Sequence, residues 1–304
     1  MLREGGNIMD RSNSRYLNNY YKDSLLNSTL YLCCQPGYFS DVLDYKEAYV
    51  RPDSNLYGTI SMFYEVSTKE MYAKCFVIPD GCIDVVVAFT GGVCNGISIC
   101  GTISSLYSTE ITNCDYIFGM RFMPGKFPVK LIGDMEDCID NQKDLKIYSP
   151  EAEYLTEMSR AGNFYERIRL SADYFGRKCD APGYKEKMVE YAMRYICTSN
   201  GNVSVKTLSN ELVYSQRYIE RVFKEYTGFT PKNMCRIVRA HKAAMHLLWH
   251  PERSKTDISM DCGYADLSHM NRELKNVMGV NTDIFRSDNF YKKQIEIVDT
   301  VYRF

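Results

Sequence analysis

Arg217, Glu220, Arg221 and Lys224 fall on one side of any helix built between Ser215 and Gly228, and Ile219, Val222, Phe223 and Tyr226 supply its apolar positions. Guanidinium, carboxylate and ammonium groups at that spacing do not make a covalent catalyst. They make a surface that can bond base edges through paired donors and phosphates through charge. Gln216 extends this polar side and Lys232 lies just beyond it. A second set, Leu267, Ser268, His269, Asn271, Arg272 and Lys275, recurs about fifty residues later, with Met270, Leu274 and Val277 as its apolar side. Arginine matches guanine and asparagine adenine, while leucine can touch a thymine methyl. Lys224, Lys232 and Lys275 are the expected phosphate contacts, and His269 can reach a phosphate or simply pack.

The elements that must position these groups are legible from caps and breakers. Ser204 can cap a short helix whose expected buried side is Leu208, Leu212 and Val213. Ser215 can cap the next helix and Gly228 can end it. Thr230-Pro231 then starts a third as cap and first-turn proline. Two short helices around a tight break predict a helix-turn-helix unit. A second unit is predicted where Ile258, Cys262 and Tyr264 surround Gly263 and Asp266 caps the next helix. Between the units, Thr230 to Trp249 reads as one helix ended by His250-Pro251. Its length of about 30 Å is close to the ~34 Å separating successive major grooves on one face of DNA. Tyr184 to Cys197 is amphipathic through Met188, Tyr191, Tyr195 and Ile196, and is expected to open this all-helical region.

The residues S-x-x-Y-I-x-R-V-F-K (215–224), T-G-F-T-P (227–231), Arg239 and Ala243 fit one known pattern. So do C-G-Y-x-D-x-S-H-M-x-R-x-L-K (262–275), Gly279 and Phe285-Arg286. Residues 184–287 thereby resemble the DNA-binding domain of AraC-type transcription regulators. The resemblance implies two major-groove helices per monomer, a homodimer, RNA polymerase as a partner, and an N-terminal cupin-like barrel that senses a small molecule. The chain departs from the pattern at Met270 and Leu274, where phenylalanines are usual, and at Thr282, where proline is usual. A looser core in the second unit is expected.

The 304 residues suit two domains. Their net charge of −1 is unevenly spread: 184–289 holds 16 basic and 12 acidic residues, the remainder 21 and 26. Within the basic part, 204–249 has eight basic and three acidic residues and 250–289 has five and seven, so the first unit should supply most of the phosphate affinity. No run approaches the ~20 apolar residues of a membrane span, and a cytoplasmic protein is expected. Twelve scattered cysteines without a C-x-x-C pair read as reduced thiols. Cys33-Cys34 can be a redox or metal pair or mere apolar filler.

All four histidines lie at or beyond position 241, which excludes a histidine-built metal centre upstream and counts against a DNA-tethered enzyme. His246 and His250 are spaced for zinc but lack an evident third ligand. No cofactor is expected.

Upstream, short β-branched and aromatic runs predict strands at Tyr57–Val66, Ala73–Ile78, Ile83–Phe89, Ile97–Thr102 and Tyr116–Phe122. They suit a barrel or sandwich. The segments 76–84 and 118–126 resemble an N-terminal domain of a poorly characterised type carried by some AraC-type regulators.

Tyr64, Tyr72, Tyr116 and Arg121 are the expected effector-binding residues. For Arg121 a pair with a carboxylate inside the domain is the preferred structural alternative, and for Asp80 a structural turn. Pro150 opens helices, including one with Phe164, Tyr165, Ile168, Tyr174 and Phe175, that either form a dimer contact or cap the barrel.

The whole reads as α+β in five parts. These are an extension at 1–40, a β-rich sensing domain at 41–149, and a helical linker or dimer region at 150–183. The double helix-turn-helix domain at 184–289 and a tail at 290–304 follow. Arg3-Glu4-Gly5 is what a ribosome-binding site before Met9 would encode, and translation is expected to start at Met9. A short helix is expected over Tyr16 to Leu26. A constitutive regulator with a purely structural β domain is the competing reading.

Overall fold

The computed structural model describes residues 33, 35, 43–50, 54, 56–68, 70–112, 116–144, 149–177 and 182–286. The Met9 start, the Tyr16–Leu26 helix, Cys34, the tail from 290 and most of the Cys179–Gly183 linker lie outside the described residues.

Eight strands form two antiparallel sheets. They are β1 (Leu43–Tyr49), β2 (Ile60–Thr68), β3 (Tyr72–Val77), β4 (Ile83–Thr90), β5 (Val93–Cys100), β6 (Tyr107–Thr112), β7 (Tyr116–Phe122) and β8 (Gln142–Asp144). The larger sheet has the order β1-β2-β7-β4-β5-β8, and β3 pairs with β6 as a separate ribbon. Of barrel and sandwich, the layered arrangement is the one seen.

Strand alternation sorts the side chains of the large sheet into two faces. Ile83, Val85, Val87 and Phe89 of β4, with Phe118, Met120 and Phe122 of β7, form one core. Helices α1 (Ser149–Arg160) and α2 (Phe164–Gly176) close this face with Tyr154, Met158, Phe164, Ile168 and Phe175. Full burial of each such side chain contributes about 1.5–3 kcal/mol. Arg167 of α2 locks the layer, donating to Glu65 at 3.0 Å and to the Tyr116 hydroxyl at 2.5 Å. The β3–β6 ribbon covers part of the opposite face through Ala73, Cys75 and Ile111, packed on Leu43, Met62, Tyr64 and Val66.

Six helices follow: α3 (Tyr184–Thr198), α4 (Val205–Leu212), α5 (Gln216–Thr227), α6 (Pro231–Trp249), α7 (Lys255–Asp261) and α8 (Leu267–Met278). Met188, Val189, Ala192 and Ile196 of α3 join Phe223, Met234, Val238, Leu247, Leu274 and Phe285 in one core. That core also takes in Cys33, Ile78 and Cys82 from the β side. Ion pairs bridge the two halves at Lys126–Glu190, 2.8 Å, and Lys224–Glu136, 2.6 Å.

One expectation fails here. Val213 is not on the buried side of α4 but is 85% exposed, with φ 58° at the end of that helix. The turn into α5 needs a left-handed residue at this point, and that geometry throws the side chain outward. Leu208 is fully buried and Leu212 half-buried, so two residues carry the packing.

Candidate nucleic-acid interface and ligand cavity

Each helix of the first unit begins on the cap its sequence offers. Ser204 Oγ accepts from Thr207 N, Ser215 Oγ from Tyr218 N, and Thr230 Oγ1 from Asn233 N. Gly228 ends α5 with φ 77°, a conformation that favours glycine. Ile219, Val222 and Phe223 are fully buried, which leaves Gln216, Arg217, Glu220 and Arg221 exposed along α5. The Arg221 guanidinium lies 5.2 Å from the Tyr218 ring centroid. Lys224 is not free: it is held by Glu136 of the β half. Lys232, at the start of α6, is exposed.

The second unit repeats the design. Ser254 Oγ caps α7 and Asp266 Oδ1 caps α8, accepting from His269 N at 2.7 Å. Ser268, Asn271, Arg272 and Lys275 are exposed. Leu267 and His269 are half-buried, and Leu267 leans on the core rather than standing clear. His269 Nδ1 accepts from Ala265 N at 3.4 Å, and its ring meets Tyr264 edge-on, so it also fixes the turn.

Met270 and Leu274 are both fully buried, and Thr282 and Phe285 are buried as well. Sequence reasoning missed one tie. Glu273 is buried on α8 and takes Arg239 at 2.7 Å and Arg236 at 3.4 Å, both from α6. The two units thus hang on one continuous helix.

Between the large sheet and the β3–β6 ribbon lies a cavity of about 330 Å³. Its walls include Tyr64, Asp84, Ser98, Cys100, Tyr107 and Arg121, with Asp140, Asn141 and Gln142 beside Gly101. Arg121 is 2% exposed. It gives Nε to Asp84 Oδ1 at 2.9 Å and Nη2 to Asp84 Oδ2 at 2.6 Å. Nη1 reaches Asp80 Oδ2 at 2.7 Å and the Cys33 carbonyl at 3.1 Å. The Tyr64 hydroxyl donates to Asp84 at 3.0 Å. Burial opposes the Arg121 charge, but Asp84 and then Asp80 outweigh it and hold its pKa well above the ordinary value. Burial, with Asp84 adding, pushes the Cys100 thiol up to about 12. The charge of Arg121 is spent inside the domain, as the structural alternative required.

Two comparisons bear on the sequence directly. Residues 208–287 match a family model described as a helix-turn-helix domain, and residues 48–143 match a domain of unknown function, DUF6597. The chain carries an AraC-type helix-turn-helix domain. Over 67 residues it is 39% identical to the HTH-type transcriptional activator RhaS of Enterobacter sp. (strain 638), covering 22% of this chain and 24% of that protein. Over 77 residues it is 34% identical to RhaS of Escherichia fergusonii, covering 25% and 27%. The chain thus spans about a quarter of the length of the curated relatives it matches.

Among solved structures, the C-terminal domain of AraT from Geobacillus stearothermophilus is 24% identical, with TM-score 0.32 over 34% of this chain and 87% of that one. ToxT from Vibrio cholerae is 12% identical, with TM-score 0.36 over 71% and 98%.

The AraC-type domain and the DUF6597 domain hold the expected residues unevenly. Tyr64 and Arg121 share the cavity. Tyr116 does not: it lies on the opposite face of the sheet, stacked on Phe89 at 4.4 Å and bonded by Arg167. The side chain of Tyr72 lies outside the described residues. The wall residues Tyr107, Asp140, Asn141 and Gln142 were missed because they sit in polar segments with no apolar period. In the AraC-type domain, the His246 and His250 rings are 5.7 Å apart. Burial and then Lys242 lower the His246 pKa to about 4. Among the described residues no group of three His, Cys, Asp or Glu side chains could hold a metal ion. No helix among them is long and apolar enough to cross a membrane.

Proposed function

We propose that this protein is a cytoplasmic, sequence-specific DNA-binding transcription regulator of AraC type. It reads duplex DNA through α5 and α8 and responds to a small molecule in the cavity of the DUF6597 domain. The observation that carries the DNA reading is the pair of capped helices with buried apolar sides and exposed Arg217, Glu220, Arg221, Asn271 and Arg272. One helix, α6, joins the two, so both belong to one reading head. Base contacts rest on those residues with Ser268 and Leu267, and phosphate contacts on Lys232 and Lys275. The matched helix-turn-helix model supports a binding role over a catalytic one.

The cavity favours a sensor over a purely structural β domain, because its volume falls at the small end of ordinary ligand sites. Its lining carries Asp80, Asp84, Glu110 and Asp140 against a single, already paired Arg121. A neutral hydroxyl-rich or cationic molecule suits it better than an anion. The partners in this reading are RNA polymerase and a second copy of the chain. A dimer contact through α1 and α2 would use their exposed sides, since their apolar sides are spent on the sheet.

The test is a titration of operator DNA, selected from a random pool, at fixed salt. Arg221→Ala should cost about 1–3 kcal/mol by removing a two-donor base contact. Arg272→Ala should cost less, because the second unit sits in a more acidic surround. Absence of duplex binding by the full chain would sink the reading. The reverse order of the two variants would make α8 the primary reader. A thermal-shift screen of polyols, amines and carboxylates should register stabilisation in the first two classes, and hits confined to carboxylates would refute the ligand assignment.

A further inference from the structure

Lys224 stands in the last turn of α5, where a phosphate contact is expected, yet its Nζ lies 2.6 Å from Glu136 Oε2. Glu136 belongs to a strap, residues 134–142, that leaves the β domain and returns to it. Its outer end is pressed against the first DNA-reading unit. Asp134 Oδ1 accepts from Glu136 N at 2.9 Å and fixes the turn. Met135 is buried in the β core. A Cβ on Gly228 would come within 3.0 Å of the Ile139 side chain and 3.3 Å of the Met135 carbonyl, so the end of α5 closes directly on the strap.

The inner end of the same strap is cavity wall. Asp140, Asn141 and Gln142 line the cavity. Gly101 N donates to Asn141 O at 3.0 Å, and Asp140 N donates to Thr102 O at 2.9 Å. A Cβ on Gly101 would lie 1.6 Å from the Cys138 carbonyl, so strap and cavity floor touch backbone to backbone. The Asp140 carboxylate clasps Ser104 through its N–H at 2.7 Å and its hydroxyl at 2.6 Å.

We propose that Glu136 competes with DNA phosphate for Lys224, and that the strap ties this competition to the cavity floor. A phosphate and the Glu136 carboxylate cannot both hold one ammonium group, so the β domain lowers the DNA affinity of the first unit while the pair is closed. A molecule that shifts Asp140–Gln142 shifts Glu136 with them. The inference rests on the reading of this protein as a DNA-binding regulator whose cavity takes a ligand. The Lys224 and Glu136 side chains are 43% and 49% exposed. The pair is therefore screened, and its effect on affinity is bounded at about fivefold.

The experiment uses the full chain and a mixed-sequence duplex of about three turns, ~30 bp, titrated over a series of salt concentrations. Glu136→Gln should bind about two- to fivefold tighter. Its slope of log affinity against log salt should steepen by about 0.9, the mark of one added phosphate contact. In a Lys224→Ala background Glu136→Gln should change neither quantity.

Asp137→Asn removes the same charge from the same strap but sits beside Lys143, at 3.9 Å, and should have the smaller effect. Asp140→Asn loosens the Ser104 clasp while asparagine tolerates the left-handed backbone there, φ 56°. It should steepen the slope as Glu136→Gln does, and add nothing to it. Equal effects of Asp137→Asn and Glu136→Gln, or additivity with Lys224→Ala, would overturn the competition. An unchanged slope for Asp140→Asn would overturn the link to the cavity. Failure of the unsubstituted chain to bind the duplex would instead overturn the DNA-binding reading itself.

Discussion

Glu47, on β1, is 2% exposed, and its Oε2 has no hydrogen-bond partner. Burial pushes its pKa up from 4.5 to about 7, against the pull of the Tyr45 and Tyr49 hydroxyls and of Arg121. Between those two values the folded chain holds a proton that the unfolded chain releases. Stability from this group is therefore complete below pH 4.5 and falls as pH rises to about 7. The full loss is about 3 kcal/mol at most. Glu47→Gln, which cannot ionise, should be more stable than the unsubstituted chain above neutrality and should show a flatter profile below it. Denaturant titrations across that window measure the difference; parallel profiles would show that Glu47 is ionised throughout.

A neighbouring case shows what single residues disclose in the sequence. Tyr116 and Arg121 lie on one strand five positions apart, so they must point to opposite faces. The alternation that made β7 recognisable was enough to separate them. Arg121 was legible as half of an internal ion pair, because a lone charge in an apolar strand needs a partner. Its two partners and the Tyr64 bond depend on three strands meeting, which no local pattern records.

At the scale of elements, the turn between α4 and α5 carries a β-branched residue in the left-handed region, Val213 at φ 58°. That conformation costs an L-residue about 1–2 kcal/mol, and asparagine tolerates it far better. Val213→Asn should stabilise the AraC-type domain by about 1 kcal/mol, read by calorimetry as a higher melting midpoint. An unchanged or lower midpoint would mean that the exposed valine gains compensating contacts.

The helices around this turn were legible because each boundary is marked locally: Ser204, Ser215, Thr230 and Asp266 all cap as their spacing indicates. Strand β7 was legible to the residue. Strands β1, β6 and β8 were not. LDYKEAY and YSTEIT mix charged and polar residues into the alternation, and QKD is a three-residue strand that exists only because β5 offers it an edge.

At the scale of the molecule, the helical half does not close its core alone. Ile78, Cys82 and Cys33 complete it, and a Cβ on Gly81 would come within 2.7 Å of the Met234 methyl. A fragment spanning 184–286 should therefore fold but melt below the same region in the full chain. It should also bind nonspecific duplex with the steeper salt slope of a released Lys224. Calorimetry and salt titration of the fragment check both; equal melting would show that the β half only touches this core.

The continuity of α6 from Pro231 to Trp249 has a mechanical consequence. A helix is stiff in torsion, and the Glu273 tie to Arg236 and Arg239 leaves α8 no swivel about it. If α5 and α8 engage DNA together, a mismatch in rotational phase between their two subsites must be absorbed by the duplex. Bases between the subsites would then matter without being touched, through their flexibility. Spacers with pliable TA or CA steps should bind more tightly than rigid A-tracts of the same length when the phase is one base pair off. Identical affinities for the two spacers would place the swivel in the protein.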